Sequence, residues 1–336
     1  MRLLLTLAAT LALAACSPSA AQNDTWSPIA LTVTPFTMPE QVGELTFRAG
    51  FVLDSPQARF GGLSDLHVFD DGRLLAITDS GEWFLAELIV DPVTGLPMGL
   101  ANPRMALMRN EAGEPFPNKQ TGDSEDLAVL PDGRIAVSFE QTQSIRIYDL
   151  FGAGPMAPSQ PGPALAGTDR LGPNRGLEAL AVLPNGDLLI GAERGSRAGA
   201  SPVWRAPLSG TAPVASAHRI RPPFGYGLTA WDATPEGRIL LTQRFYAPGL
   251  GTRIRVLEAA LEDPEPDLGF TELAILAAPL EVDNVEGLAV QPLPDGPSGP
   301  ALRIYLITDD NFSDSQRTLL FVFDLEGQPA VARVAR

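Results

Sequence analysis

One motif returns five times along this chain, and its spacing constrains the fold more than any other feature. Leu63-Ser64-Asp65-Leu66-His67-Val68 precedes Asp70-Asp71-Gly72-Arg73, and Ser124-Glu125-Asp126-Leu127-Ala128-Val129 precedes Pro131-Asp132-Gly133-Arg134. Leu177-Glu178-Ala179-Leu180-Ala181-Val182 precedes Pro184-Asn185-Gly186-Asp187, and Leu228-Thr229-Ala230-Trp231-Asp232-Ala233 precedes Pro235-Glu236-Gly237-Arg238. The fifth copy, Val285-Glu286-Gly287-Leu288-Ala289-Val290, reaches Pro294-Asp295-Gly296 through a longer turn. Between the second residues of successive copies the steps are 61, 53, 51 and 57 residues. Aliphatic runs follow the turns, so each copy reads as a hairpin closed by an Asp-Gly or Asn-Gly type turn. One or two further strands come next, such as Ser144–Asp149 or Thr252–Glu258. Short antiparallel strands, four to a unit of roughly 40–50 residues, are the signature of a β-propeller blade.

No long window carries the 3.6-residue apolar period that a helical solenoid needs. The 32 glycines and 32 prolines fit a chain of many turns. The expected fold is therefore an all-β propeller with four-stranded antiparallel blades, five or six in number. Strands at Ile29–Val33 and Leu45–Leu53 lack the motif and either complete the last blade or begin an extra one. No linker separates the copies, so residues 29–336 are expected to form one domain.

At the N-terminus, Arg2 is followed by a thirteen-residue apolar run from Leu3 to Ala15. A membrane span needs about 20 residues, and the run fits the hydrophobic stretch of an export signal. It ends Leu13-Ala14-Ala15-Cys16, which resembles the lipobox of bacterial lipoproteins. That resemblance implies a signal over residues 1–16, lipid on Cys16 and a tether over 17–28. Ser17 after the cysteine implies the periplasmic side of the outer membrane. An ordinary signal cut after Ala21 is the other reading. Cys16 is the sole cysteine, which excludes an intramolecular disulfide and a Cys-x-x-Cys zinc site. With 24 basic and 40 acidic residues the chain carries −16, and losing Arg2 with the signal makes that −17. Only one basic residue is a lysine, Lys119. Such a protein is poorly suited to nucleic acid or to an anionic membrane surface.

Within the repeats, Gly61-Gly62-Leu63-Ser64, Asp123-Ser124-Glu125-Asp126-Leu127, Asn174-Arg175-Gly176-Leu177-Glu178 and Asn284-Val285-Glu286-Gly287-Leu288-Ala289 resemble the phytase-like family ("esterase-like activity of phytase"). So do Thr308-Asp309-Asp310-Asn311-Phe312 and Gln316-Arg317-Thr318, and the resemblance runs from about Leu45 to Leu325. It implies a propeller and hydrolysis of phosphate or carboxylate esters, without naming catalytic residues.

Hairpin pairing sums to a constant, which sets Glu125 opposite Phe139 or Glu140 and Glu178 near Glu193. The same count puts Ser64 near Asp79 and Thr229 near Gln243 or Arg244. In a propeller these positions ring one mouth of the central channel. Asp79, Glu125, Glu140, Glu178, Glu193, Glu286 and Asp309 are thus candidates for one crowded rim. Carboxylates so close need positive charge among them. A hard cation such as Ca2+, which takes 6–8 oxygen ligands, suits such a ring. The expected ligands are Glu125, Glu178 and Glu286, with Asp79 and Asp309 beside them. Arg175, Arg194, Arg244 and Arg317 could instead pair with the acids; the first three are also candidates to bind substrate. A third reading has the glutamates bonding to amides of neighbouring blades.

No Gly-x-Ser-x-Gly, His-Glu-x-x-His or Walker motif occurs. His67 is expected to be packed in its blade and His218 solvated on an outer strand. Trp26, Trp83, Trp204 and Trp231 are expected to fill blade interfaces. The sequence thus points to an envelope hydrolase acting on a small ester with Ca2+ at the rim. The alternative is a non-catalytic, lipid-anchored propeller that binds a protein, glycan or other envelope ligand. Either is expected to be a monomer that touches the membrane only through its lipid and binds no nucleic acid. Phytate fits poorly, because the net charge repels a hexaphosphate.

Overall fold

The structure is a computed structural model that describes residues 25–172, 175–194, 199–210, 212–260, 267–296 and 299–327. Cys16 and the signal lie outside the described residues. The five motif copies form the innermost strands of five sheets: Leu63–Val68, Ser124–Val129, Leu177–Val182, Tyr226–Ala233 and Val285–Gly296. Each packs against two others, so the five close a ring, and the open question of five or six blades is answered as five. Blades are numbered in chain order. Each inner strand pairs antiparallel with a second strand, for example Ile135–Phe139 in blade 2 and Arg238–Ala247 in blade 4. Third strands follow, such as Ser144–Tyr148 and Gly251–Ala260.

The ring is stitched by its own N-terminus. Leu45–Asp54 pairs with Thr318–Leu325 and supplies the outer strand of blade 5, and Thr32–Phe36 adds beyond it. Ser27–Pro28, placed in the tether on sequence grounds, pairs with Met105 and Arg104 at the edge of blade 1. Early residues thereby bridge blades 1 and 5.

Five apolar clusters fill the five interfaces between blades. Leu63, Leu74 and Phe84 of blade 1 meet Ala289, Tyr305 and Leu320 of blade 5, and equivalent sets lie between the other pairs. Trp83, Trp204 and Trp231 are fully buried in them, and Trp26 is half-buried. The Trp231 indole N–H donates to Leu189 O of the preceding blade at 3.2 Å, so its ring packs without an orphan donor. His218 sits on the outer strand of blade 3 but is buried, not solvated. Among the described residues, no helix is long and apolar enough to cross a membrane.

Candidate functional site

A β-bulge near the start of every inner strand builds the site. In blade 1, Leu63 pairs with Thr78 and Asp65 with Ile77, so Ser64 is the extra residue. Glu178, Thr229 and Glu286 are skipped in the same way. In blade 2, Ser124 pairs with Phe139 and Leu127 with Val137, leaving Glu125 and Asp126 opposite Ser138 alone. A bulged residue leaves the ladder and its side chain is re-aimed. The regular hairpin count is therefore off by one: Phe139 faces Ser124 rather than Glu125, and Gln243 faces Leu228 rather than Thr229. Inner strands are buried on both faces, so no exposed–buried alternation marks the register.

Above the bulges lies a second ring, formed by residues just past the second strands. The backbone N–H of Asp79, Glu140, Glu193 and Asp309 donates to the carbonyl of Gly62, Asp123, Gly176 and Asn284, at 2.8 to 3.0 Å. Arg244, paired with Gly227, takes the corresponding place in blade 4. Acids here cross to the next blade over glycine. A Cβ on Gly176 would come within 2.5 Å of Glu140, and one on Gly227 within 2.6 Å of Glu193 Oε1. Gly176 N–H also donates to Glu140 Oε1 at 3.1 Å.

Asp123, Glu125 and Glu140 bring one carboxylate oxygen each within 4.8 Å of one another. Asp123 is buried, and its Oδ1 accepts no hydrogen bond from any described residue. Glu125 stands in the channel mouth, walled by protein. Burial, followed by the charges of Asp123, Glu140, Glu286 and Asp79, pushes its carboxyl well above the usual range. Burial likewise raises Glu178, helped by Glu125, Glu140, Glu286 and Glu193. Glu178 has no hydrogen-bond or ion-pair partner among the described residues. Glu286 is raised by burial but eased by Arg244, whose Nη2 lies 3.1 Å from its Oε1.

Two acids expected among the ligands are already engaged. Asp79 is bonded by the ammonium of Lys119, which also lies 3.6 Å from Asp123 Oδ1. Asp309 accepts the Asn311 N–H at 2.6 Å and the Asn284 amide at 3.5 Å, and burial pushes its carboxyl up to about 8. Among the arginines, Arg194 approaches Glu193 at 3.5 Å, Arg175 is exposed, and Arg317 pairs with Glu281 at 2.8 Å rather than with one of the seven rim acids. The rim is thus acidic over blades 1 and 2, with arginines over blades 3 and 4. Sequence reasoning passed over Asp123 and Lys119. Other blades carry Gly62, Gly176, Gly227 or Asn284 where blade 2 carries Asp123, and Lys119 lies between repeats, so neither gives a periodic signal.

Deeper in the channel, a second tier of acids does what the inner-strand glutamates do not. Asp65 accepts N–H groups from Leu127 of blade 2 at 3.0 Å and Leu288 of blade 5 at 3.1 Å. Asp126 accepts from Leu180 of blade 3 at 2.8 Å, and Asp232 from Val290 of blade 5 at 2.8 Å. The expected amide ties between blades exist, then, but on these aspartates and on Glu140 rather than on the glutamates of the inner strands. At the far mouth, a cavity of about 250 Å3 is lined by Leu66, His67, Val182, Val290 and prolines. Burial lowers the His67 imidazole to about 4, which keeps it neutral.

Fold and site define the class: a five-bladed β-propeller whose channel opens through a bulge-built ring of carboxylates. Within that class the chain belongs to the phytase-like family, described as "esterase-like activity of phytase", which matches residues 58–312. No curated protein matches the chain. Among solved structures it is similar to a PQQ-bound aldose sugar dehydrogenase from Streptomyces coelicolor, with 12% identity over 89% of this chain and 100% of the other, at a TM-score of 0.41. A putative gluconolactonase is 15% identical over 92% of both chains, with a TM-score of 0.42. A virginiamycin B lyase from Staphylococcus aureus is 11% identical over 90% of this chain and 91% of the other, with a TM-score of 0.38. None of these likenesses bears on what this chain acts on.

Proposed function

We propose that this protein hydrolyses a phosphate or carboxylate ester at the acidic channel mouth, using a hard divalent cation of the Ca2+ kind. The observation that carries this is the Asp123–Glu125–Glu140 cluster with its buried Asp123 Oδ1, which accepts no hydrogen bond from any described residue. Such an oxygen carries a desolvation cost that a hard, oxygen-seeking cation removes, so the donor set fits one. Asp123, Glu125 and Glu140 would hold the ion, with Glu178 and Glu286 around it. Once bound it would supply Lewis-acid polarisation of the ester oxygen.

The chain's own residues account for the rest. Arg175 and Arg194, with Arg244 behind them on Glu286, present donors to the anionic part of the substrate. Glu178 has no hydrogen-bond or ion-pair partner among the described residues, and burial raises its carboxyl well above the usual range, so its ionised form would be a strong enough base to take a proton from water. The long-range field of −16 disfavours a hexaphosphate and favours esters of low charge.

We further propose, on the lipobox-like Leu13-Ala14-Ala15-Cys16, that the protein works outside the cytoplasm, tethered through lipid on Cys16 at the periplasmic side of the outer membrane. Cys16→Ser should then release it to the soluble fraction or block its processing; unchanged membrane retention would contradict the tether. For the activity, chelator-treated protein is assayed on 4-nitrophenyl acetate, butyrate and phosphate, with Ca2+, Mg2+ or Mn2+ restored. Cation-dependent hydrolysis that is lost in Glu125→Gln and Glu178→Gln is the expected result. Binding of cation with no turnover of any ester would favour the second reading, a non-catalytic propeller for an envelope ligand. Phe224 speaks for that reading: it lies three residues before Gly227 of the rim and is fully exposed, as on a docking face.

A further inference from the structure

We propose that Lys119 is a built-in counter-ion of the acidic cluster, which an incoming divalent cation must displace, so that this one lysine sets the cation affinity of the site. The inference rests on the cation reading above and concerns its regulation.

Every other basic residue in the chain is an arginine. Lys119 opens a single helical turn, Lys119–Gly122, whose N-cap Asn118 accepts from the Thr121 N–H at 3.2 Å. The turn lies directly before the inner strand of blade 2, so it delivers the ammonium to Asp123 four residues on. Among the described residues, no other cationic side chain is within ion-pair distance of Asp123, Glu125 or Glu140. Neutral partners of the cluster among the described residues are the Gly176 N–H on Glu140 Oε1 and the Gln141 amide, which lies 3.0 Å from Glu140 Oε2 and also hydrogen-bonds Asp123.

The geometry is that of a placeholder. The ammonium makes its hydrogen bond to Asp79, outside the cluster, and reaches Asp123 Oδ1 only across 3.6 Å. It therefore lends charge to Asp123 without satisfying that oxygen as an acceptor. Its side chain is more than half exposed, so it can swing out on its four-carbon stem without opening a cavity. A cation bound to Asp123 Oδ1 and the ammonium beside it would repel each other at close range, so the two compete for one place.

The test is calorimetric titration of CaCl2 into the chelator-treated full chain, in wild type and in Lys119→Met, Lys119→Gln and Lys119→Arg. The two neutral variants should bind Ca2+ about tenfold tighter or more, and Lys119→Arg should stay near wild type, because it keeps the charge. Melting curves guard against misfolding: in chelator the neutral variants should melt below wild type and regain more with Ca2+ than wild type does. Equal affinity in wild type and Lys119→Met would overturn the proposal, and so would weaker binding in Lys119→Met. If none of the four proteins binds Ca2+, the cation reading itself falls and this inference with it.

Discussion

Two tiers of acids share the inner strands, and they have opposite fates. Asp65, Asp126 and Asp232 give their oxygens to backbone amides of neighbouring blades at 2.8 to 3.1 Å. Glu125 and Glu178, which precede them in blade 2 and lie beside them in blade 3, accept nothing from the backbone. The bulge goes with the difference. Asp65 and Asp232 keep ladder partners just past it and reach the next blade, whereas Glu178 is the extra residue of its strand; in blade 2 Glu125 and Asp126 share the bulge, and only Asp126 reaches the next blade. Carboxylates of the inner strands thus divide into ties and site, and in blade 2 both lie on one strand.

This contrast is most open to attack at Asp65. Its carboxylate serves two blades, so Asp65→Ala would strand two buried N–H donors. At about 1–3 kcal/mol for each unsatisfied group, a loss of about 2–6 kcal/mol is expected in urea unfolding. Asp232→Ala should cost less, because its tie to another blade is single. A loss no larger than in Glu178→Gln would erase the distinction between the tiers.

A pH series should follow. Burial is the main cause that pushes Asp65 up to about 7, Asp232 up to about 6 and Asp309 up to about 8. Their folded forms bind protons more tightly than the unfolded chain does. Stability of the cation-free protein should therefore be fullest near pH 4 and fall as pH rises toward 8. Melting temperatures across pH 4–8 in chelator would check this, and a rise with pH would contradict it. The smallest effect belongs to the upper tier. Glu178→Gln in chelator should leave stability unchanged or raise it slightly, since it relieves like-charge crowding.

Much of this was legible in the sequence. The five copies, their turns and the crowding of acids at one mouth follow from spacing alone, and the tryptophans at the blade interfaces follow from size. Blade count was not legible, because it depends on where Leu45–Asp54 pairs, a contact across nearly the whole chain. Nor was the bulge, because a strand buried on both faces carries no alternation to break. It decided which acids face the channel. Lys119 was noticed as the only lysine but could not be placed, since its turn has no counterpart in other blades.

The central claim is that the upper tier is a cation site while the lower tier is structural. Paired melts of wild type and Glu125→Gln, each in chelator and in excess CaCl2, test it most directly. A ligand that binds only the folded state adds RT ln(1 + [L]/Kd), about 2.7 kcal/mol at one hundred times Kd. Wild type should therefore melt higher in Ca2+, and Glu125→Gln should lose most of that gain while matching or exceeding wild type in chelator. A wild type indifferent to Ca2+ and a Glu125→Gln variant destabilised in chelator would contradict the account and make Glu125 one more tie between blades.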